Sequence, residues 1–92
     1  MKSKTINRFW KCYAELPEVI QKQAKEVYKL FMVDPFHPSL HFKKIHSSRP
    51  IFSVRITKDY RAVGILQNNE IIWYWIGSHS DYDQLIKQLR KA

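Results

Sequence analysis

Only one cysteine, Cys12, stands in the chain. A disulfide within the chain is therefore impossible, and a cysteine-based zinc site is disfavoured. This usage fits a reducing compartment, and a cytoplasmic location is expected. No apolar run approaches the ~20 residues of a membrane span, so no span is expected. The basic start, Met1-Lys2-Ser3-Lys4-Thr5, is not followed by an apolar stretch, and no signal peptide is read there. Acidic residues are also scarce. Asp and Glu number 8 against 16 Lys and Arg, leaving a net charge of +8. So many like charges repel one another and cost stability. The imbalance makes sense where a partner is negative: nucleic acid, the ribosome, an anionic membrane surface or an acidic protein. RNA is the preferred reading, and solubility is the plain alternative.

Several sites of known chemistry are missing as well. There is no GxGxxG, P-loop, GxSxG or HExxH. The carboxylates, Glu15, Glu18, Glu26, Asp34, Asp59, Glu70, Asp81 and Asp83, are scattered. No predicted strand carries a carboxylate pair of the kind that holds divalent metals, so metal-dependent phosphoryl chemistry is disfavoured. His37, His41 and His46 cluster in a loop and strand and are read as surface or packing residues. No metal and no cofactor is expected.

What is present suffices for one domain spanning residues 1–92. Apolar residues make up 45% and aromatics 14%, enough for a core without staples. The segment Thr5 to Ala14 starts as a short strand and turns helical, with Phe9, Trp10 and Tyr13 recurring at helical spacing. Leu16-Pro17 interrupts, and Pro17 suits the first turn of a new helix. Ile20, Ala24, Val27, Tyr28 and Phe31 form the apolar stripe of an amphipathic helix over 19–33. Asp34-Pro35 ends it. A loop over 36–40 leads to a short strand over 42–46. Phe52, Val54 and Ile56 alternate with polar residues, as in a half-covered strand. Lys58-Asp59 and Asn68-Asn69 read as turns on either side of a third strand. The run from Ile71 to Ile76 is apolar on both faces, so its strand is central and covered. Ser80 is a candidate cap for a last helix, in which Tyr82, Leu85, Ile86 and Leu89 share a stripe. The class is α+β: two N-terminal helices packed on a twisted antiparallel sheet, followed by a C-terminal helix.

Basic residues on the strands carry the possible chemistry. Lys43 and Lys44 lie on the first of these strands, Arg55 on the second and Arg61 on the third. Arg55 and Arg61 flank one short turn, so antiparallel pairing brings them together. Arginine binds phosphate in two-point geometry and keeps its charge when half-buried. His79 leaves the last strand with a side chain suited to proton transfer near neutrality. Such a set can cleave RNA without metal, through attack of a 2′-OH on the adjacent phosphate. Plainer roles stay open. Lys43 and Lys44 fit ordinary edge lysines, and Arg55 fits a residue that only keeps its face wet. Arg61 has Asp59 and Asp81 as possible partners, and His79 fits a helix-entry residue bonded to backbone. Tyr82 fits core packing as well as stacking on a base.

The segments Pro38-Ser39-Leu40-His41-Phe42-Lys43-Lys44, Phe52-Ser53-Val54-Arg55-Ile56, Tyr60-Arg61-Ala62-Val63-Gly64 and Trp75-Ile76-Gly77-Ser78-His79-Ser80-Asp81-Tyr82 resemble the RelE/ParE superfamily. These are toxins of bacterial type II toxin–antitoxin systems. The resemblance implies a microbial RNase-like fold with helices on one side of the sheet. RelE-like members are metal-independent endoribonucleases that cut mRNA in the ribosomal A site. ParE-like members poison DNA gyrase without being enzymes. Both kinds are held inactive by a cognate antitoxin, so a monomeric toxin within a toxin–antitoxin complex is expected. An inactive antitoxin-binding relative is a further alternative. Carried over, Lys43, Lys44 and Arg55 match the RNA-binding positions. Arg55, Arg61, His79 and Tyr82 match the catalytic ones. A full helix follows His79 here, and no glutamate stands near Lys43. The resemblance therefore assigns no general base; both strand arginines together with His79 favour the ribosome-dependent nuclease, and the gyrase poison stays as the alternative.

Overall fold

The computed structural model describes residues 1–91. In chain order the elements are β1 (Lys2–Thr5), α1 (Asn7–Ala14), α2 (Glu18–Val33), a 3-10 turn at Pro38–Leu40, β2 (Lys43–Lys44), β3 (Ile51–Thr57), β4 (Tyr60–Gln67), β5 (Glu70–Ser78) and α3 (His79–Lys91). They form one five-stranded sheet in the order β1-β5-β4-β3-β2. The α+β class and the helix–sheet–helix order are as expected.

Helix α2 starts after Pro17 and ends at Asp34, whose amide reaches back to Leu30 O at 2.7 Å. Its buried residues are Ala24 and Phe31, two turns apart on one face, and Val27 and Leu30 pack beside them. Tyr28, part of the expected stripe, is instead exposed. The strand after the 3-10 turn is shorter than expected, with only Lys43 and Lys44 pairing to Ser53 and Phe52.

β3, β4 and β5 form the expected antiparallel meander. Asn68 and Asn69 both adopt left-handed backbone, φ 51° and 62°. Two such residues make the hairpin turn whose twist matches the flanking strands, and asparagine tolerates that conformation. The Lys58-Asp59 turn is built differently: Asp59 N–H donates to Thr57 Oγ1 at 3.1 Å, and the register slips between Arg55 and Thr57.

Two expectations about the sheet are corrected. It is mixed rather than antiparallel, because β1 runs parallel to β5, with Lys2 opposite Glu70 and Thr5 opposite Trp73. Without β1, the apolar strand β5 would present an unpaired edge, which folded proteins avoid. Trp73 Nε1 donates to Ser3 Oγ at 3.0 Å, and Lys4 pairs with Glu70 at 3.4 Å, which fixes this register. The helices also lie on both faces. One cluster joins Ala24 and Phe31 of α2 to Val54, Ala62, Trp73 and Ile76. A second joins Tyr82 and Leu85 of α3 to Ile51, Val63 and Trp75. Neighbouring Ala62 and Val63 belong to different clusters, so α3 covers the face opposite α2.

Strand β5 serves both clusters through a bulge. Val63 pairs with Trp75 and Gly64 with Trp73, so Tyr74 has no partner opposite it. One extra residue reverses the alternation. Trp73 therefore packs beside α2 and Trp75 beside α3, although they stand two apart. This accounts for a run that is apolar at every position from Ile71 to Ile76.

Candidate functional site

The α3 face of the sheet is only partly covered, and its open part carries the charged strand residues. Arg55 and Arg61 lie directly opposite each other on β3 and β4, both half-buried. They share a face with Ser53 and Val63, two positions away, which pack under α3. Like charges directly across a sheet are destabilising. Among the described residues, neither guanidinium belongs to an ion pair.

Arg61 does not take Asp59 or Asp81 as partner. Its Nη1 donates to Thr57 O at 2.7 Å and to Tyr60 O at 3.3 Å, both in the turn before it. The turn thus fixes one end of the fork and leaves its other donors for a ligand. On β5, Gly77 stands beside Arg61. A Cβ there would come within 2.7 Å of the Trp75 ring, so a larger residue would displace the tryptophan that supports α3.

His79 sits at the same end of the sheet. The preceding residues, Gly77 and Ser78, pair with Arg61 and Tyr60. The backbone N–H of His79 donates to Asp59 O at 2.7 Å, joining the start of α3 to the β3–β4 turn. Its side chain is half-exposed, with Nδ1 3.4 Å from Asp83 Oδ2 one helical turn on. A proton on Nδ1 faces that carboxylate and leaves Nε2 as the free nitrogen. The helix begins two residues earlier than expected, and its cap is Ser78, whose Oγ accepts from Asp81 N–H at 3.2 Å, rather than Ser80.

Tyr82 is 5% exposed. Its hydroxyl donates to Ser53 Oγ at 3.2 Å, its ring packs on Trp75, and its edge meets the His79 ring with centroids 5.6 Å apart. Placed this way, the tyrosine supports His79 from the core. Lys43 and Lys44 are exposed, and Lys43 lies opposite Ser53, two residues from Arg55 along β3. Between β2 and α3 runs a cleft of about 560 Å³, lined by Lys43, Lys44, His46, Tyr82, Ile86 and Arg90.

The structure therefore brings Arg55, Arg61 and His79 to one end of the open face and places Lys43, Lys44 and Tyr82 along the adjoining cleft. Sequence reasoning missed Asp83 as the partner of His79, although the i, i+4 spacing was readable. It also missed Arg90, which follows Tyr82 and Ile86 at four-residue steps. His37, His41 and His46 do not converge: His37 bonds Ser39 in its own turn, and His46 bonds Leu89 O in α3. Among the described residues, no three histidine, cysteine or acidic side chains are grouped to hold a metal ion. Nor is any helix there long and apolar enough to cross a membrane.

On the opposite face, α1, α2 and the sheet enclose an apolar groove of about 440 Å³. Phe9, Trp10, Tyr13, Tyr28 and Phe31 line it, with Lys4 and Lys25 also in the lining. Trp10 is half-exposed there, its Nε1 donating to Thr5 Oγ1 at 2.8 Å.

Comparison with known proteins adds to this geometry. The ParE-like toxin domain matches residues 18–84. No curated protein sequence matches the chain. Among solved structures, the RelB–RelE antitoxin–toxin complex of Methanococcus jannaschii is similar at TM-score 0.70 and 21% identity, over 87% of this chain and 95% of that one. The YoeB/ParE toxin of Agrobacterium tumefaciens is similar at TM-score 0.67 and 15% identity, over 86% and 99%. The intact RelBE toxin–antitoxin complex of E. coli is similar at TM-score 0.62 and 14% identity, over 83% and 93%.

Proposed function

Since the chain belongs to the ParE-like toxin domain family, we propose that this toxin is a metal-independent, ribosome-dependent mRNA endoribonuclease controlled by a cognate antitoxin. One observation supports the reading above others. Arg55 and Arg61 are held side by side on the open face without an acidic partner among the described residues, and His79 stands at the same end. A fold tolerates that repulsion where an anion relieves it.

In this reading the two arginines hold the scissile phosphate and stabilise the charge that builds on it. The 2′-OH loses its proton to water as it attacks phosphorus, the bond to the 5′ oxygen breaks, and a cyclic phosphate and a free 5′-OH result. His79 is assigned to proton transfer, delivering a proton from Nε2 to the departing 5′ oxygen. Asp83, 3.4 Å from Nδ1, orients the ring and keeps a proton on that nitrogen. Tyr82 is committed to Ser53 and positions His79. Lys43 and Lys44 hold RNA backbone along the cleft.

The antitoxin has a suitable seat on the other face. The apolar groove, with Lys4 and Lys25 in its lining, suits an amphipathic helix carrying acidic flanks. The similar structures from M. jannaschii and E. coli are themselves complexes of toxin with antitoxin.

The ParE-like character of the matching domain favours a second reading, a non-enzymatic poison of DNA gyrase. Cell-free translation of a reporter mRNA, with 5′ ends mapped with and without ribosomes, separates the two. Cuts within codons that need ribosomes and disappear in Arg61→Ala support the nuclease. Intact mRNA, with a DNA-damage response in cells, moves the assignment to gyrase. Intact mRNA and unaffected growth point to an inactive relative.

A further inference from the structure

His46 stands outside the arginine–histidine site, yet all its hydrogen-bonding capacity is engaged. Nδ1 accepts from the backbone N–H of Ser48 at 3.2 Å and of Arg49 at 3.0 Å. Nε2 lies 3.2 Å from Leu89 O in the last turns of α3. Two N–H donors aimed at Nδ1 exclude a proton there. The ring is therefore neutral, with its hydrogen on Nε2 and donated to the Leu89 carbonyl. That carbonyl is among the last four of α3, which have no partner within a helix. One side chain thus closes the turn after β2 and ties the end of α3 across the cleft.

We infer that His46 is a proton-sensitive clasp that positions the β2 wall of the basic cleft against α3. A second proton can enter only at Nδ1, where it meets the Ser48 and Arg49 N–H groups head-on. The turn then has to turn those donors away from the ring. The charged residues of the cleft and turn beside it, Lys43 and Lys44 on β2, Arg49 in the turn and Arg90 on α3, are all cationic. Tyr82 also lines the cleft, but its hydroxyl is held by Ser53. Protonation of the ring releases the turn and the helix end together, and the two walls that carry Lys43, Lys44 and Arg90 separate. The clasp stands whatever the cleft binds; only its bearing on RNA rests on the nuclease reading.

Two substitutions divide the clasp. His46→Asn keeps an acceptor beside the Ser48 and Arg49 amides but is too short to reach Leu89. His46→Gln keeps a donor at the Nε2 position and loses the acceptor. Neither titrates. The experiment is NMR of the full-length ¹⁵N-labelled protein between pH 8 and pH 5, reading the His46 ring nitrogens and amide exchange corrected for intrinsic rates. In the wild type, Nδ1 is unprotonated at pH 8. Protection of Arg49 and of the last turn of α3 then falls roughly two- to tenfold on acidification, the worth of about one net hydrogen bond. In His46→Asn the helix end is loose at every pH and the turn stays protected. In His46→Gln the pattern is reversed. A proton on Nδ1 at pH 8, or wild-type pH dependence in both variants, overturns the proposal.

Discussion

The two faces of the sheet are finished to different degrees. Below the sheet, α1 and α2 together cover β3, β4 and β5 with one continuous aromatic and aliphatic cluster that includes Phe31 and Trp73. Above it, a single 13-residue helix covers Ile51, Val63 and Trp75, and its coverage stops short of Arg55 and Arg61. Both faces belong to the same strands, and alternate residues serve each. A small domain can thus draw its stability from one side and spend the other on charged groups that a second apolar layer would have excluded. The charge at Arg55 and Arg61 is accommodated because water reaches that side.

Substitutions can test this contrast. The largest loss of stability belongs to the closed face. Trp73→Ala should cost about 3–5 kcal/mol, because it removes a ring 4% exposed and leaves a cavity. Urea unfolding measures this, and a loss below about 1 kcal/mol would mean the closed face is looser than described. Arg61→Ala should act in the opposite sense. On the nuclease reading, cleavage falls by about a hundred- to a thousandfold. The unfolding midpoint barely moves, since the loss of two bonds to half-buried turn carbonyls is offset by relief of the repulsion from Arg55. Parallel loss of folding and activity would contradict the division of labour between the faces.

A smaller effect lies at the boundary. Tyr82→Phe should cost about 1–3 kcal/mol, because Ser53, 1% exposed, loses the hydroxyl that donates to it. It should also loosen the ring of His79, read as a broadened or shifted imidazole signal. The smallest effect concerns Tyr74 at the bulge. Burial raises its phenol above the ordinary tyrosine range, and the charges of Arg8 and Arg49 offset part of that. A raised folded value means stability present below about pH 10 and lost as pH climbs through the folded value. Thermal melts from pH 9 to pH 11 should therefore fall more steeply for the wild type than for Tyr74→Phe. Equal slopes would show that the bulge leaves Tyr74 in open water.

Much of this contrast could be read beforehand. The stripe of α2, the alternation in β3, the two short turns and the stripe of α3 are local patterns, and they sufficed for the meander and its helices. The neighbouring arginines followed from the shortness of the Lys58-Asp59 turn. What escaped reading depends on distant or broken patterns. Nothing in Lys2–Thr5 announces a parallel partner at the far end of the chain. The bulge at Tyr74 breaks the two-residue period, so the run from Ile71 to Ile76 showed a covered strand but not which tryptophan faces which helix. Ser78 and Ser80 are equally good caps by composition, and only the register of β5 against β4 decides between them. His46 looked like one of three loose histidines, because its partners lie in its own backbone and in a helix that comes last.

The pairing of β1 with β5 also bears on when the protein becomes itself. Ser3 and Trp73, which bond across this pair, are separated by 70 positions. Contacts so remote in sequence form late, after the chain entropy of closing a long loop has been overcome. During synthesis the first strand has to wait, unpaired, until the fifth has left the ribosome. The meander and α3 follow the same schedule, because Arg61 and His79 meet only through β5. A growing chain of this sequence therefore carries no assembled arginine–histidine site until β5 has emerged and paired with β4.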